Sequence, residues 1–137
     1  MLSTTSEYAL RALIELANVE DGHMMFGKSL SERAGIPAGY LSKILAALGR
    51  AGIIDATRGM SGGYQLAKPA KDILLIDVIE VFEGVRSRPA CILDKNRECD
   101  DEKPCPAHDR FQKTRQSYLK FLEETSIAAI AKRRTSH

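Results

Sequence analysis

The chain has little cysteine, little net charge and no long apolar run, and each shortage removes a class of protein. Three cysteines among 137 residues are an odd count that suits a disulfide framework poorly, so the thiols are expected to stay reduced. No stretch approaches the ~18 apolar residues of a membrane span. The opening MLSTTSEYALRALIELANVEDG lacks the charged n-region of a signal peptide, and its apolar residues are spaced for a helix face. These absences predict a cytoplasmic chain with no membrane partner. A length of 137 residues and an apolar fraction of 44% describe one globular domain with at most a small appendage.

Net charge is only +2, but it is unevenly spread. Residues 28–68 hold six basic side chains (Lys28, Arg33, Lys43, Arg50, Arg58, Lys68) against two acidic ones, Glu32 and Asp55. Residues 72–124 hold twelve acidic and nine basic. A basic first half beside an acidic second half suggests a polyanion-binding part joined to something else.

Helical periodicity covers residues 5–19, where Tyr8, Leu10, Leu13 and Leu16 make an apolar face and Gly22 is a plausible C-cap. KSLSERAG (28–35) reads as a short helix ending at Gly35. IPAGYLSKILAALGRAG follows, with Leu41, Ile44, Leu45 and Leu48 at helical spacing and a stop at Gly52. Two short helices around a tight glycine turn have the spacing of a helix-turn-helix. Residues 53–57 and 64–66 read as short strands bridged by RGMSGG, a glycine-rich hairpin tip. A helix-turn-helix running into a hairpin predicts a winged helix. LLIDVIEVFEG (74–84) adds a helix, and residues 109–132 read as one long amphipathic helix with Phe111, Tyr118, Leu119, Leu122 and Ile130 along a stripe. A long helix outside a compact winged helix cannot bury that stripe alone, so a homodimer is expected, with folding back onto its own domain as the alternative. The tail 132–137 is expected to fray. The divisions are 1–84 for DNA binding, 85–108 for a cysteine-rich loop and 109–137 for a dimerisation helix and tail, in a mainly α fold.

In a helix-turn-helix the start of the second helix enters the major groove. Its non-core positions here include Gly39, Tyr40, Ser42 and Lys43. Ser42 and Lys43 can bond base edges, Tyr40 suits a phosphate or a thymine methyl, and Gly39 lets the backbone approach. Arg58 beside Gly59 suits the minor groove or a phosphate. Lys28 and Arg50 suit phosphates, which position without specifying.

All three cysteines stand in CILDKNRECDDEKPCPAH (91–108), spaced Cys91-x7-Cys99-x5-Cys105-x2-His108. Structural zinc sites usually carry C-x2–4-C pairs, and there is none. Nucleophilic catalysis would want one thiol beside a base. Three thiolates and an imidazole match the needs of an iron–sulfur cluster. The segment is too polar to bury and is expected to order on its metal. Spacing ranks a metal or cluster site first, a thiol switch second and inert cysteines third.

SEYALRALIELA, AGIPAGYLSKILAALGRAGII, TRGMSGGYQLAKPA, LLIDVIEVFEG and the three cysteines together closely resemble the Rrf-two family of winged-helix transcription regulators, in its cluster-binding branch (IscR-, NsrR- and RirA-like). The resemblance implies a non-enzymatic homodimer on a partly palindromic double-stranded operator, with no small-molecule substrate. It implies a 2Fe–2S or 4Fe–4S cluster on Cys91, Cys99 and Cys105 whose state, responding to iron, redox or nitric oxide, sets DNA binding. His108 matches the fourth ligand of IscR-like proteins. Glu7 matches that of NsrR-like ones, where the other subunit gives it. The cysteine spacing is most like RirA, and Ser42 stands where some IscR-type proteins have an acidic base reader. The same regulator with a zinc site or thiol switch is the first alternative, and a small iron–sulfur electron carrier the second.

Overall fold

A computed structural model describes residues 2–20, 23–87 and 89–131; Gly22 and the tail 132–137 lie outside them. Helix α1 (Thr4–Ala17) starts where the Ser3 hydroxyl accepts the Ser6 N–H at 3.1 Å, satisfying an otherwise orphaned donor. It buries Ala9, Leu10, Ala12, Leu13 and Leu16, the periodic face expected.

α2 (Gly27–Ala34) ends at Gly35, whose φ of 68° is left-handed, and the Ile36 N–H returns to the Ser31 carbonyl at 3.0 Å. The Arg11 guanidinium of α1 donates to the Ala34 carbonyl, so the turn is held from outside as well. α3 (Ala38–Arg50) then sends Leu41, Ile44, Leu45 and Leu48 inward. It stops two residues before Gly52.

β1 (Ile54–Thr57) and β2 (Gly63–Leu66) pair antiparallel, Ile54 with Leu66 and Thr57 with Gly63. The wing gains a third edge that periodicity could not reveal. Met25 bridges Tyr64 through two backbone bonds of 3.0 and 2.8 Å. This clamps the hairpin to the start of α2.

After a 3-10 turn (Ala70–Asp72), α4 (Leu75–Phe82) buries Leu75, Ile76, Val78 and Ile79. Two findings differ from expectation beyond this point. The cysteine segment carries its own hairpin, β3 (Ala90–Cys91) with β4 (Asp94–Glu98), although every β4 side chain is exposed. The expected single C-terminal helix is two. α5 (His108–Glu124) ends at an extended Thr125, and α6 (Ile127–Ala131) turns back onto α1. The reversal is pinned by the Leu75 N–H on the Thr125 carbonyl (2.9 Å) and the Ile127 N–H on the Ile73 carbonyl (2.8 Å). Leu122 and Ile127 are buried in the same core as α1, α3 and α4, so the chain covers part of that stripe itself. Among the described residues no helix is long and apolar enough to cross a membrane.

Candidate nucleic-acid interface and cysteine site

The inward turn of Leu41, Ile44 and Leu45 leaves Gly39, Tyr40, Ser42 and Lys43 exposed on α3. Arg50 closes the same helix, Lys28 lies in the first turn of α2, and both are exposed. Arg58 and Gly59 sit at the wing tip beside Met60, which is almost wholly exposed. The tip requires glycine: a Cβ at Gly62 would lie 2.0 Å from the Thr57 carbonyl oxygen. The expected base- and phosphate-facing residues are therefore all on the surface, on α2, α3 and the wing.

Tyr40 is less independent than its position suggests. Its hydroxyl shares a 2.6 Å hydrogen bond with the Thr5 hydroxyl, and its ring meets Tyr8 edge-on at 5.3 Å. The start of α3 is thus tied to the first turn of α1. That turn has a second tie. Glu83, at the end of α4, accepts from the Ser3 hydroxyl, the Ser3 N–H and the Ser6 hydroxyl. Partial burial works against the Glu83 charge, but these donors outweigh it and hold its carboxyl below the usual range. Glu7, in the same turn, is exposed.

In the cysteine segment no disulfide joins Cys91, Cys99 or Cys105. Of the expected donors, the structure brings Cys99 and His108 into contact. Cys91 is more acidic than an ordinary thiol: the Leu93 N–H lowers it most, then Cys105, the Asp94 N–H and the Arg97 charge, against a cost of desolvation. Cys99 is buried, its N–H on the Pro89 carbonyl at 2.8 Å and its sulfur 3.4 Å from His108 Nδ1. His108, the first residue of α5, is also buried, and its Nε2 lies 2.9 Å from Asp101 Oδ1. Gln112 donates to the Cys99 sulfur at 2.7 Å. Among the described residues no three such side chains converge as a ready single-ion site. The donor set nevertheless fits an iron–sulfur cluster in kind, three thiols and an imidazole. Asp101 and Gln112 were not singled out in the sequence. Gln112 stands four residues after His108, a spacing that puts both on one helix face and was the available signal.

The profile of the Rrf2 family, described as an iron-dependent transcriptional regulator, matches residues 2–133. CymR (YrzC) of B. subtilis, described as that organism's global cysteine regulator, is 25% identical, with a TM-score of 0.79 over 96% of this chain and 95% of that one. IscR of T. potens is 27% identical, with a TM-score of 0.75 over 95% of this chain and 85% of that one. The oxidised form of CymR from Staphylococcus aureus is 27% identical, with a TM-score of 0.78 over 99% of each chain.

Proposed function

This chain belongs to the Rrf2 family of DNA-binding transcriptional regulators, not enzymes, and from that premise we propose how it is controlled. As a homodimer it grips an operator with two reading heads, and an iron–sulfur cluster on Cys91, Cys99, Cys105 and His108 sets the grip. The carrying observation is the buried contact of Cys99 with His108 on the segment that follows the winged helix. When bound, the cluster supplies a redox- and iron-responsive centre. His108 is preferred to Glu7 as the fourth ligand because it already touches Cys99.

Ser42 and Lys43 meet base edges, with Gly39 allowing close approach. Arg58 and Gly59 meet the minor groove, and Lys28 and Arg50 hold phosphates. Tyr40 sets the angle of α3 through Thr5 while its outer ring surface faces the duplex. A route joins the two sites. Glu83 leads into the cysteine segment and is bonded to Ser3 and Ser6, and the adjacent Thr5 is bonded to Tyr40. A change in the segment therefore reaches the reading helix through one turn of α1.

The partner is a second copy of this chain. On α5 Phe121 is half exposed, and Phe111, Tyr118 and Leu119 are only partly covered. Phe111, Tyr118 and Leu119 line an apolar hollow of about 260 Å³ against Gly84, Val85 and Pro89. The Tyr118 hydroxyl is buried there without a hydrogen-bond partner. An exposed apolar face of this kind favours association.

Anaerobically purified protein is expected to be brown, with iron and sulfide in stoichiometric amounts and loss of both in Cys99→Ala. Colourless, iron-free protein from iron-replete anaerobic cells would sink the cluster reading. Cys91 and Cys105, free thiols that are only partly buried, support a second reading, in which peroxide takes two electrons and two protons from the two, leaving a disulfide and water. Peroxide-dependent DNA affinity in iron-free protein, lost in Cys105→Ser, would support it.

A further inference from the structure

Cys99 and His108 are the buried pair of the four donors, and each has a second partner outside the donor set. The two nitrogens of His108 stand in unlike surroundings. Nε2 faces the Asp101 carboxylate at 2.9 Å, and Nδ1 faces the Cys99 sulfur at 3.4 Å. A carboxylate oxygen accepts, so the ring N–H that meets Asp101 is the one on Nε2. Nδ1, which faces Cys99, is the nitrogen left to take a metal. On the other side of the sulfur, the Gln112 amide donates at 2.7 Å. Gln112 and His108 are one turn apart on α5, so a single helix face delivers the imidazole and the amide to the same sulfur.

We infer that Asp101 and Gln112, neither of them a ligand, are the positioning residues of this site. Asp101 commits His108 to bind through Nδ1, and Gln112 holds the Cys99 sulfur with an N–H bond that favours the reduced cluster. Partners of this kind fix a ligating ring and raise its basicity, and hydrogen bonds to cluster sulfur help set the potential. The inference deepens the cluster reading and rests on it, but its first half can be measured without metal.

In the metal-free full-length chain, nitrogen NMR of labelled histidine is expected to show His108 protonated at Nε2 and bare at Nδ1. The signal is assigned by its loss in His108→Ala. Asp101→Ala should mix the two tautomers. A proton on Nδ1 in the wild type, or an unchanged tautomer in Asp101→Ala, would overturn the role of Asp101. In the loaded protein, Gln112→Leu should bind the same iron per chain but lower the midpoint potential. A tenfold loss of preference for the reduced state corresponds to about 59 mV for a one-electron couple. An unchanged potential would overturn the role of Gln112. Failure of the wild type to take up iron at all would instead overturn the cluster reading, and elemental analysis separates that result from the others.

Discussion

Gly63 stands at φ 133°, and a Cβ there would come within 2.7 Å of the Met25 carbonyl oxygen. Both the conformation and the close approach exclude a side chain, because this is where the wing is clamped to the strand residue Met25. Gly63→Ala should cost about 1–3 kcal/mol, the usual price of such backbone strain, measured by urea unfolding. It should weaken DNA binding as well, since the hairpin carries Arg58. Lys43→Ala should leave stability within about 0.5 kcal/mol. It should reduce operator affinity by about 1–3 kcal/mol while changing non-specific binding less. Equal loss on operator and random duplex would show that Lys43 touches phosphate only. At Glu83 the pH dependence has a defined sign. Its folded carboxyl titrates below its ordinary value, so its contribution is present above that value and is lost as pH falls through the lowered one. Urea unfolding from about pH 6 to about pH 3 should show the gap between wild type and Glu83→Gln closing on acidification. These residues differ in how readable they were. RGMSGG announced a glycine turn, but only Met25 in space explains why Gly63 cannot change. Glu83 looked like an ordinary helix-end carboxylate, because its partners Ser3 and Ser6 lie about 80 positions away.

At the scale of elements, the helix-turn-helix, its wing and α4 were legible because each buries a periodic face and ends at a glycine, a proline or a turn. The β3–β4 hairpin was not. DKNRE has no alternation, and all five of its side chains are exposed, so backbone pairing alone builds it. The break at Thr125 was hidden for the opposite reason. Leu122, Ile127 and Ile130 keep an apolar character on both sides of it, and only the backbone bonds to Ile73 and Leu75 reveal the reversal. The consequence is testable. Leu122 is 1% exposed and Ile127 is fully buried. Truncating either to alanine should destabilise the chain by about 2–5 kcal/mol, measured by denaturant titration. A helix serving only the partner would lose dimerisation and leave monomer stability unchanged.

For the molecule as a whole, the unequal distribution of charge has become a division of surfaces. The reading helix and wing present Lys43, Arg50 and Arg58, whereas the cysteine segment sets Asp94, Glu98, Asp101 and Glu102 beside Lys95, Arg97 and Lys103. DNA affinity should fall steeply with salt, with a slope set by the number of phosphates the basic side neutralises. On α5, Phe121→Glu should convert the dimer into monomers by analytical ultracentrifugation, with little change in helix content. Unchanged association would mean that the dimer uses another face. The chain-level pairing of α6 with α1 has a further consequence, in the order of manufacture. During translation α1 is among the first elements made, and its cover is among the last, about 110 residues later. At the usual pace of ~5–20 residues per second, the apolar side of α1 waits for roughly 5–20 s. A nascent chain halted before residue 127 would therefore leave the ribosome with the DNA-reading elements complete and their core unsealed. Such fragments should be captured by chaperones or proteases, so that only finished chains reach the operator.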